Sequence, residues 1–322
     1  MSVEQGATTS PPTSFCLFQE PWWLNLTAEG NWDEAIVANA EGVIARLPYR
    51  TLRRYGATIL TQPRLTPYGG PWFRPSSAKA SNQFSERRRL TVELLSRLPR
   101  YDLFSQNLWP GLSDWLPFHW AGFSECTFYT NWFRDLSSPD LLWGSFLTET
   151  RAEIRKAQQR VTVVVTDDVE RLCDLHELAF AERGMKAPRE RAFLRRVIEG
   201  AVRAGHARIV FAMDDKANAH AANLIVYDQR SAHYLIGGSD PRYRTSGAAS
   251  LLVWDAVQFA ARTSKVFDFE GSTVESISRF FRGFSPESIP ISHIYRTSRR
   301  AALAAALYNV GAALIRRPPL RL

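Results

Sequence analysis

The stretch from His233 to Ser272 reads HYLIGGSDPRYRTSGAASLLVWDAVQFAARTSKVFDFEGS, and it decides the fold that we predict. The alternation at Tyr234 and Ile236 is typical of a strand, and a loop rich in Gly, Ser, Asp and Pro follows it. That loop opens a predicted helix from about Ser246 to Arg262, and Val266 to Glu270 reads as another strand. If both strands run parallel, the helix N-terminus and the end of the second strand lie at the same edge of the sheet.

The start of this helix has the composition of an anion site. Arg244, Gly247 and Ala249 fit the pattern Arg-x-x-Gly-x-Ala. Small residues there let the backbone N–H groups of the first turn lie against a phosphate, and the helix dipole adds favourable charge. We predict a phosphate or pyrophosphate site made by Arg244, Thr245, Ser246, Gly247, Ala248 and Ala249. The alternative is that the small residues only let the helix pack closely, with Arg244 solvated.

Length and charge set the broad class of the protein. With 322 residues, 45% hydrophobic and 22% charged, the chain has enough apolar material for two domains and is not a disordered protein. The net charge of +8 favours anionic partners such as nucleotides, tRNA, phosphorylated sugars or an anionic membrane surface, without choosing among them. We predict no DNA partner.

The cysteines and the N-terminus indicate the compartment. Cys16, Cys126 and Cys173 have neither disulfide nor metal spacing, and no Cys/His cluster has zinc-ligand geometry, so we predict no metal and a cytoplasmic setting. Residues 1–14 lack a basic start followed by an apolar core, and we predict a flexible tail.

The order of predicted elements indicates a duplicated α/β unit. Tyr101–Phe104, a helix and Gly122–Glu125 in the first half echo Val266–Phe269, a helix and Gly283–Glu287 in the second. We predict an α/β fold of the α+β type, with two tandem domains that each have a mixed, mostly antiparallel sheet flanked by helices. Their predicted bounds are 15–146 and 147–297, followed by a basic-flanked helix at 298–322.

This order, with Arg-x-x-Gly-x-Ala opening the helix, resembles the GNAT acyltransferases, and the duplication resembles their Fem-like branch, which includes BioF2-like acetyltransferase domains. Three strings carry the likeness: RAEIRKAQ (Arg151 to Gln158), FAERGMKAP (Phe180 to Pro188) and FDFEGSTVESISRFFRGF (Phe267 to Phe284). The resemblance covers roughly residues 20 to 297.

The resemblance implies transfer of an acyl group from a thioester or an aminoacyl-tRNA to an amine on a glycan or cell-envelope precursor. In CoA-using relatives the Arg-x-x-Gly-x-Gly/Ala loop holds the cofactor pyrophosphate, whereas Fem-type relatives use charged tRNA and keep the loop poorly. Because this chain keeps the loop, we favour acyl-CoA, with acetyl-CoA as the donor, and an amino sugar or envelope precursor as the acceptor. A Fem-type aminoacyl-tRNA-dependent transferase and a non-catalytic binding module stay open as alternatives.

Three carboxylates are candidates for the chemistry. An attacking amine must lose a proton, and Glu182 or Glu270 would accept it directly or through water. The alternative for Glu182 is a solvated pair with Arg183. Asp268 points away from the aromatic rings of Phe267 and Phe269, either into the cleft or into a structural hydrogen-bond network. Many CoA-using members have a tyrosine acid after this strand, where this chain has Glu270-Gly271-Ser272-Thr273.

Candidate acceptor contacts lie in a loop and on a basic helix. Tyr68 and Gly69 belong to a Gly/Pro loop where an acceptor could stack. Arg155 and Lys156 belong to a basic helix that would face tRNA or a diphosphate; the alternative is a solvated face.

The segment from Arg299 to Arg317 is apolar between basic ends. It has about 15 apolar or small residues, short of the ~20 that span a bilayer. We predict a peripheral helix at the inner membrane face; the alternative is a helix packed on the protein.

Overall fold

A computed structural model of the chain describes residues 14–54, 56–182, 184–187, 190–272 and 274–302. The chain divides into two compact units. The first unit contains Met1–Glu125 together with His293–Leu322, and the second contains Cys126–Ser292. The predicted boundary at residues 146 and 147 therefore lies inside the second unit, and the first unit takes residues from both halves of the chain.

The described helices are α1 Pro21–Ala28, α2 Ala80–Ser96, α3 Leu116–Trp120, α4 Pro139–Ser145, α5 Thr148–Gln158, α6 Val169–Ala181, α7 Arg191–Arg203, α8 Ala248–Thr263 and α9 Glu275–Arg282. The described strands are β1 Trp32–Asn39, β2 Gly42–Arg54, β3 Ala57–Thr61, β4 Trp72–Phe73, β5 Leu103–Asn107, β6 Ser124–Phe133, β7 Thr162–Val165, β8 Ala207–Met213, β9 Ala219–Tyr227, β10 Ser231–Ser239, β11 Val266–Asp268 and β12 Glu287–Thr297.

The first unit is a mixed sheet with helices packed on it. β1 and β2 form an antiparallel hairpin, β2 pairs with β3, and β3 runs parallel to β5. The last residues of β12, from His293 to Thr297, pair antiparallel with β5. The apolar face of α2 buries Leu90 and Leu94 in the core of this unit with Phe104 and Phe118. Helix α2 also packs against α3.

The second unit is a mostly antiparallel sheet with the strand order β6, β11, β10, β9, β8, β7. Only the pair β10 and β11 is parallel among these described strands. Helix α8 lies on β8, β9, β10 and β11 and packs against α5. Its residues Leu251, Leu252, Val253 and Val257 are buried, which explains why this segment is apolar almost all round.

Helices α6 and α7 also lie against this sheet. Helix α6 packs on β9 and β10, and α7 packs on β8. The buried residues of α7 recur at helical spacing, as Phe193, Leu194, Val197, Ile198 and Ala201. The elements of the second half of the chain, from β7 to β12, follow the order β, α, α, β, β, β, loop, α, β, α, β.

The two parallel strands of the second unit pair along only part of β10. Pairing of β10 with β11 joins Ser231 to Val266 and ends at His233 and Asp268. Strand β10 continues to Ser239, with a register shift against β9 between Tyr234 and Ile236. β11 itself ends at Asp268, whereas β10 extends from Tyr234 to Ser239 beyond the paired residues.

No helix among the described residues is both long and apolar enough to cross a membrane. The predicted C-terminal helix lies, beyond Ala302, outside the described residues.

Candidate active site

Asp268 ends β11 and is fully buried. Its Oδ1 accepts hydrogen bonds from Thr130 Oγ1 at 2.6 Å and from the Glu270 N–H at 2.7 Å. Its Oδ2 lies 3.4 Å from His233 Nδ1. Of the two predicted roles, these contacts are those of a structural network that ties β6, β10 and β11 together, and direct proton transfer by Asp268 stays a prediction.

Glu270 follows the strand in a left-handed turn with φ 60°. Such a conformation costs a non-glycine residue of order 1 kcal/mol or more, and the surrounding contacts hold it here. The N–H of Glu270 donates to Asp268, and its carbonyl accepts from Asn131 Nδ2 at 3.4 Å. Unlike the fully buried side chains of Asp268 and His233, that of Glu270 is 19% exposed. It is therefore the member of this cluster that a substrate can reach.

The environment of Glu270 favours the protonated carboxyl. Burial, and then the neighbouring charge of Asp268, raise its pKa well above the ordinary value. Its Oε1 is buried and lies 3.7 Å from His233 Nδ1. A carboxyl group of this kind holds its proton to a higher pH and, once ionised, is a stronger base than a solvated glutamate.

His233 was not among the predicted site residues. Its ring is fully buried, with Nδ1 toward the two carboxyl groups and Nε2 2.8 Å from Ser231 Oγ. The order Ser231, His233, Asp268 resembles a hydrolytic triad, but the side chain of Ser231 is buried and is not placed to attack a substrate. The His233 ring therefore lies beside Asp268 and Glu270 in this buried cluster.

The predicted anion loop lies between β10 and α8. Asp240 accepts a hydrogen bond from the Arg242 N–H, and Ser246 Oγ accepts from the Ala248 N–H at 3.3 Å. Gly247 precedes the helix with φ 77°, and the first-turn N–H groups of a helix have no backbone partner within it. Thr245 is exposed and Ala249 is half-buried, whereas Ser246 and Ala248 are buried.

Arg244 and Glu182, two predicted site residues from distant parts of the chain, meet at this loop. Arg244 Nη1 lies 3.5 Å from Glu182 Oε1, and the Arg244 side chain is 74% exposed. Glu182 is the C-cap residue of α6 and follows its last helical residue. The alternative pairing of Glu182 with Arg183 lies outside the described residues. A guanidinium that is exposed and held by one carboxylate beside a helix N-terminus is suited to a phosphate.

Gly247 also allows two helices to pack closely, a role that the sequence pattern could not distinguish from anion binding. A Cβ atom at this position would lie 2.3 Å from the backbone oxygen of Glu153 in α5. In the next turn, Ser250 Oγ donates to Glu153 Oε2 at 2.8 Å. The alternative of close packing is therefore realised, with α5 as the partner, and the glycine alone is not evidence for a phosphate.

The predicted acceptor residues lie in different environments. Tyr68 is buried in the first unit, where its ring contacts Phe18 and Trp109, so it does not present a face to an acceptor. Gly69 is also buried, and its N–H donates to the Asn107 carbonyl at 2.7 Å.

The two basic candidates lie on the exposed side of α5. Arg155 and Lys156 are both exposed, and the Arg155 guanidinium lies 5.6 Å from the Trp143 ring centre. Their position is open to an anionic partner, and their binding role stays a prediction.

Within the described part of the chain, no group of three His, Cys, Asp or Glu side chains is placed to hold a metal ion. Cys16 and Cys173 are buried, and burial raises the pKa of the Cys173 thiol to about 11. At neutral pH that thiol is protonated and is a poor nucleophile.

Comparison with known proteins gives one family match. The family described as "Acetyltransferase (GNAT) domain" matches residues 144–275, which include α5 to α8, β7 to β11 and the anion loop. No curated protein matches the chain.

Solved structures share the fold at low sequence identity. A crystal structure of FemX is 13% identical, with a TM-score of 0.65 over 86% of this chain and 91% of that chain. The C-terminal domain of a putative lysylphosphatidylglycerol synthetase from Agrobacterium fabrum is 16% identical, with a TM-score of 0.52 over 87% and 88%. L-PGS from Bacillus licheniformis is 13% identical, with a TM-score of 0.51 over 92% and 93%.

Proposed function

We propose that this chain, an acyltransferase whose residues 144–275 form a GNAT domain and whose fold is that of FemX, moves an acyl group from acyl-CoA to an amine. Acetyl-CoA is the proposed donor, and an amino sugar or another cell-envelope precursor is the proposed acceptor. The residues assigned to the reaction are Glu270 as the base and Arg244 with the α8 N-terminus as the donor site.

One observation carries this proposal. β10 and β11 run parallel, and their pairing ends at His233 and Asp268. The anion loop follows the end of β10, and Glu270 follows the end of β11. Because the carboxyl ends of parallel strands lie at the same edge of a sheet, the loop proposed to bind phosphate and the carboxyl group proposed as the base follow strands that end at one edge.

Acyl-CoA supplies the thioester carbonyl that the amine attacks and the phosphates that the loop would hold. The exposed Arg244 and the first-turn N–H groups of α8 fit such an anion, because charge and directed donors meet there. Glu270 takes the proton that the attacking amine loses. Asp268 fixes the Glu270 backbone by accepting a hydrogen bond from its N–H. Nδ1 of the buried His233 lies 3.4 Å from the Asp268 carboxyl group and 3.7 Å from that of Glu270.

A Fem-type transferase that takes its acyl group from charged tRNA is the second candidate. The net charge of +8 and the exposed Arg155 and Lys156 favour it, because tRNA binding depends on neutralising phosphates. The names of two structural neighbours, FemX and lysylphosphatidylglycerol synthetase, also support an envelope or lipid acceptor.

Isothermal titration of the full chain with acetyl-CoA, a longer acyl-CoA and charged tRNA separates the two donors. We expect acetyl-CoA to bind and Arg244→Ala to weaken it about tenfold or more, since one charge-assisted contact to phosphate contributes about 1.5–3 kcal/mol. Arg262→Ala is the control, because it removes the same charge from the other end of α8.

Two results would contradict the acyl-CoA donor. One is equal affinity for acetyl-CoA in the parent and in Arg244→Ala. The other is binding of charged tRNA with no measurable binding of either CoA ester.

A further inference from the structure

A second cleft lies entirely within the first unit, on the side where α2 packs against α3. It has a volume of about 90 Å³, and its lining includes Phe73, Phe84, Arg87, Arg88, Asp114 and Pro117. One water needs ~10–15 Å³ of such volume, so the cleft has room for a group the size of a single ring.

Arg88 is locked at the wall of this cleft. Its Nε donates to Asp114 Oδ2 at 2.6 Å, and its Nη2 donates to Oδ1 at 3.2 Å. The guanidinium also lies 4.1 Å from the ring centre of Phe84 and 5.1 Å from that of Trp120. The ion pair is neutral as a whole, and it holds two aromatic rings in place.

These two rings are unusually exposed for apolar side chains. Phe84, which lines the cleft, is 48% exposed, and Trp120, which lies beside the cleft on the Arg88 guanidinium, is 59% exposed. Grouped aromatic surface beside a concave site is typical of a ligand contact, because a flat apolar face stacks on an apolar face of the ligand. Rings that are already fixed lose little conformational freedom when a ligand binds.

Arg87 gives the cleft a net positive charge. It lines the cleft one residue before the locked arginine, is exposed, and has its guanidinium 6.0 Å from the Phe73 ring centre. Within the described ranges Arg87 forms no ion pair, whereas its neighbours Arg88 and Arg89 are paired with Asp114 and Glu93. The lining thus has one uncompensated charge, which favours an anionic group on the ligand.

We infer that this cleft is a binding site for a phosphorylated sugar. The apolar face of the sugar ring stacks on the exposed aromatic surface, its hydroxyl groups meet the polar wall at Ser113 and Asp114, and its phosphate pairs with Arg87. The size of the cleft favours one ring over the base, ribose and phosphate of a nucleotide. The binding itself does not depend on the proposed transfer reaction.

Calorimetric titration of the full chain with glucosamine 6-phosphate tests this inference, with N-acetylglucosamine, inorganic phosphate and uridine 5′-monophosphate as comparison ligands. We expect glucosamine 6-phosphate to bind most tightly of the four. Arg87→Gln and Trp120→Ala should each weaken the binding of glucosamine 6-phosphate at least tenfold. Trp120→Phe should weaken it less than Trp120→Ala does, because it keeps a ring.

Arg89→Gln is the matched control, since it removes an exposed charge from the same helix at a paired position. It should leave the affinity unchanged, and melting temperatures will identify any variant that fails to fold. Acetyl-CoA affinity should be unchanged in all four variants. Failure of acetyl-CoA to bind the parent chain would contradict the proposed donor and leave the sugar site standing.

Four results would overturn the inference. The first is that glucosamine 6-phosphate shows no saturable binding, and the second is that neither Arg87→Gln nor Trp120→Ala changes its affinity. The third is that its binding is lost in Arg244→Ala instead. The fourth is that uridine 5′-monophosphate binds as tightly and depends on the same residues.

Discussion

A carboxyl group that must lose its proton before it can act as a base makes the reaction rate depend on its own pKa. In Glu270 that pKa is raised by burial and by the charge of Asp268. The rate constant kcat/KM should therefore rise with pH through a range above that of an ordinary glutamate, since the ionised form is the active one.

Replacing this carboxyl tests the assignment directly. Glu270→Gln should lower kcat about 10²–10⁴-fold, the usual effect of losing a positioned base, and should abolish the rise of rate with pH. The measurement is turnover of acetyl-CoA with an amine acceptor across pH.

Glu182→Gln is the comparison variant. Because Glu182 pairs with Arg244, its loss should change donor affinity more than kcat. Parental turnover in Glu270→Gln at every pH would show that another group takes the proton.

At this scale the sequence singled out Asp268 and Glu270 as candidates but not the histidine that lies beside them. Alternation along β11 indicated that Asp268 and the two flanking phenylalanines point to opposite faces. His233 was missed because its importance depends on the pairing of His233 with Asp268 across two strands. That register is set by tertiary packing, and a single sequence contains no direct measure of it.

Gly247, the residue before α8, is needed both for the turn that starts α8 and for the packing of α8 against α5. Gly247 has φ 77°, and a Cβ there would collide with the backbone of α5. Gly205 also has a positive φ, of 73°, but open space around the position of its Cβ. Comparing substitutions at the two glycines therefore separates the cost of backbone strain from the cost of a steric clash.

This contrast gives a prediction for helix packing. Gly205→Ala should lower the free energy of unfolding by about 1–2 kcal/mol, the cost of a left-handed conformation for a residue with a Cβ. Gly247→Ala should cost more, because α5 and α8 must also move apart. Urea unfolding of both variants and the parent measures the difference. Equal losses of unfolding free energy in the two variants would show that α5 moves away from α8 without a free-energy cost.

Most elements were predictable because their signals are local. Helix α8 begins two residues later than predicted, after the turn that Gly247 allows. Helix α4 was not predicted because it has only seven residues, with Pro139 as its first residue and Gly144 next to its last. Strand β4 has two residues, too few for any alternation to appear.

The arrangement of the whole chain was harder to predict than its elements. The repeated strings indicated two domains in sequence, with one boundary between them. The structure instead puts His293–Leu322 with the first unit, so the second unit is an insertion in the sequence of the first. Which distant strand completes a sheet depends on long-range pairing, here of β12 with β5, and composition does not specify it.

A prediction about the whole molecule follows from this pairing. A chain that ends at Ser292 lacks the residues of β12 that pair with β5, including Ile294, which is fully buried in the core of the first unit. Deleting a buried isoleucine side chain alone costs about 2–5 kcal/mol, and the cut also leaves β5 with an unpaired edge. We expect this chain to aggregate or to lose the unfolding transition of the first unit.

A chain that ends at Ala302 is the control, because it keeps β12 and the hydrogen bonds between Ser298 and Asp102. It should unfold in urea at the same midpoint as the full chain, and both should elute from a sizing column without aggregates. The comparison of the two shortened chains isolates the ten residues from His293 to Ala302. A chain ending at Ser292 that unfolds like the control would mean that residues 14–125 fold without β12, and that the return of the chain to the first unit adds little to its stability.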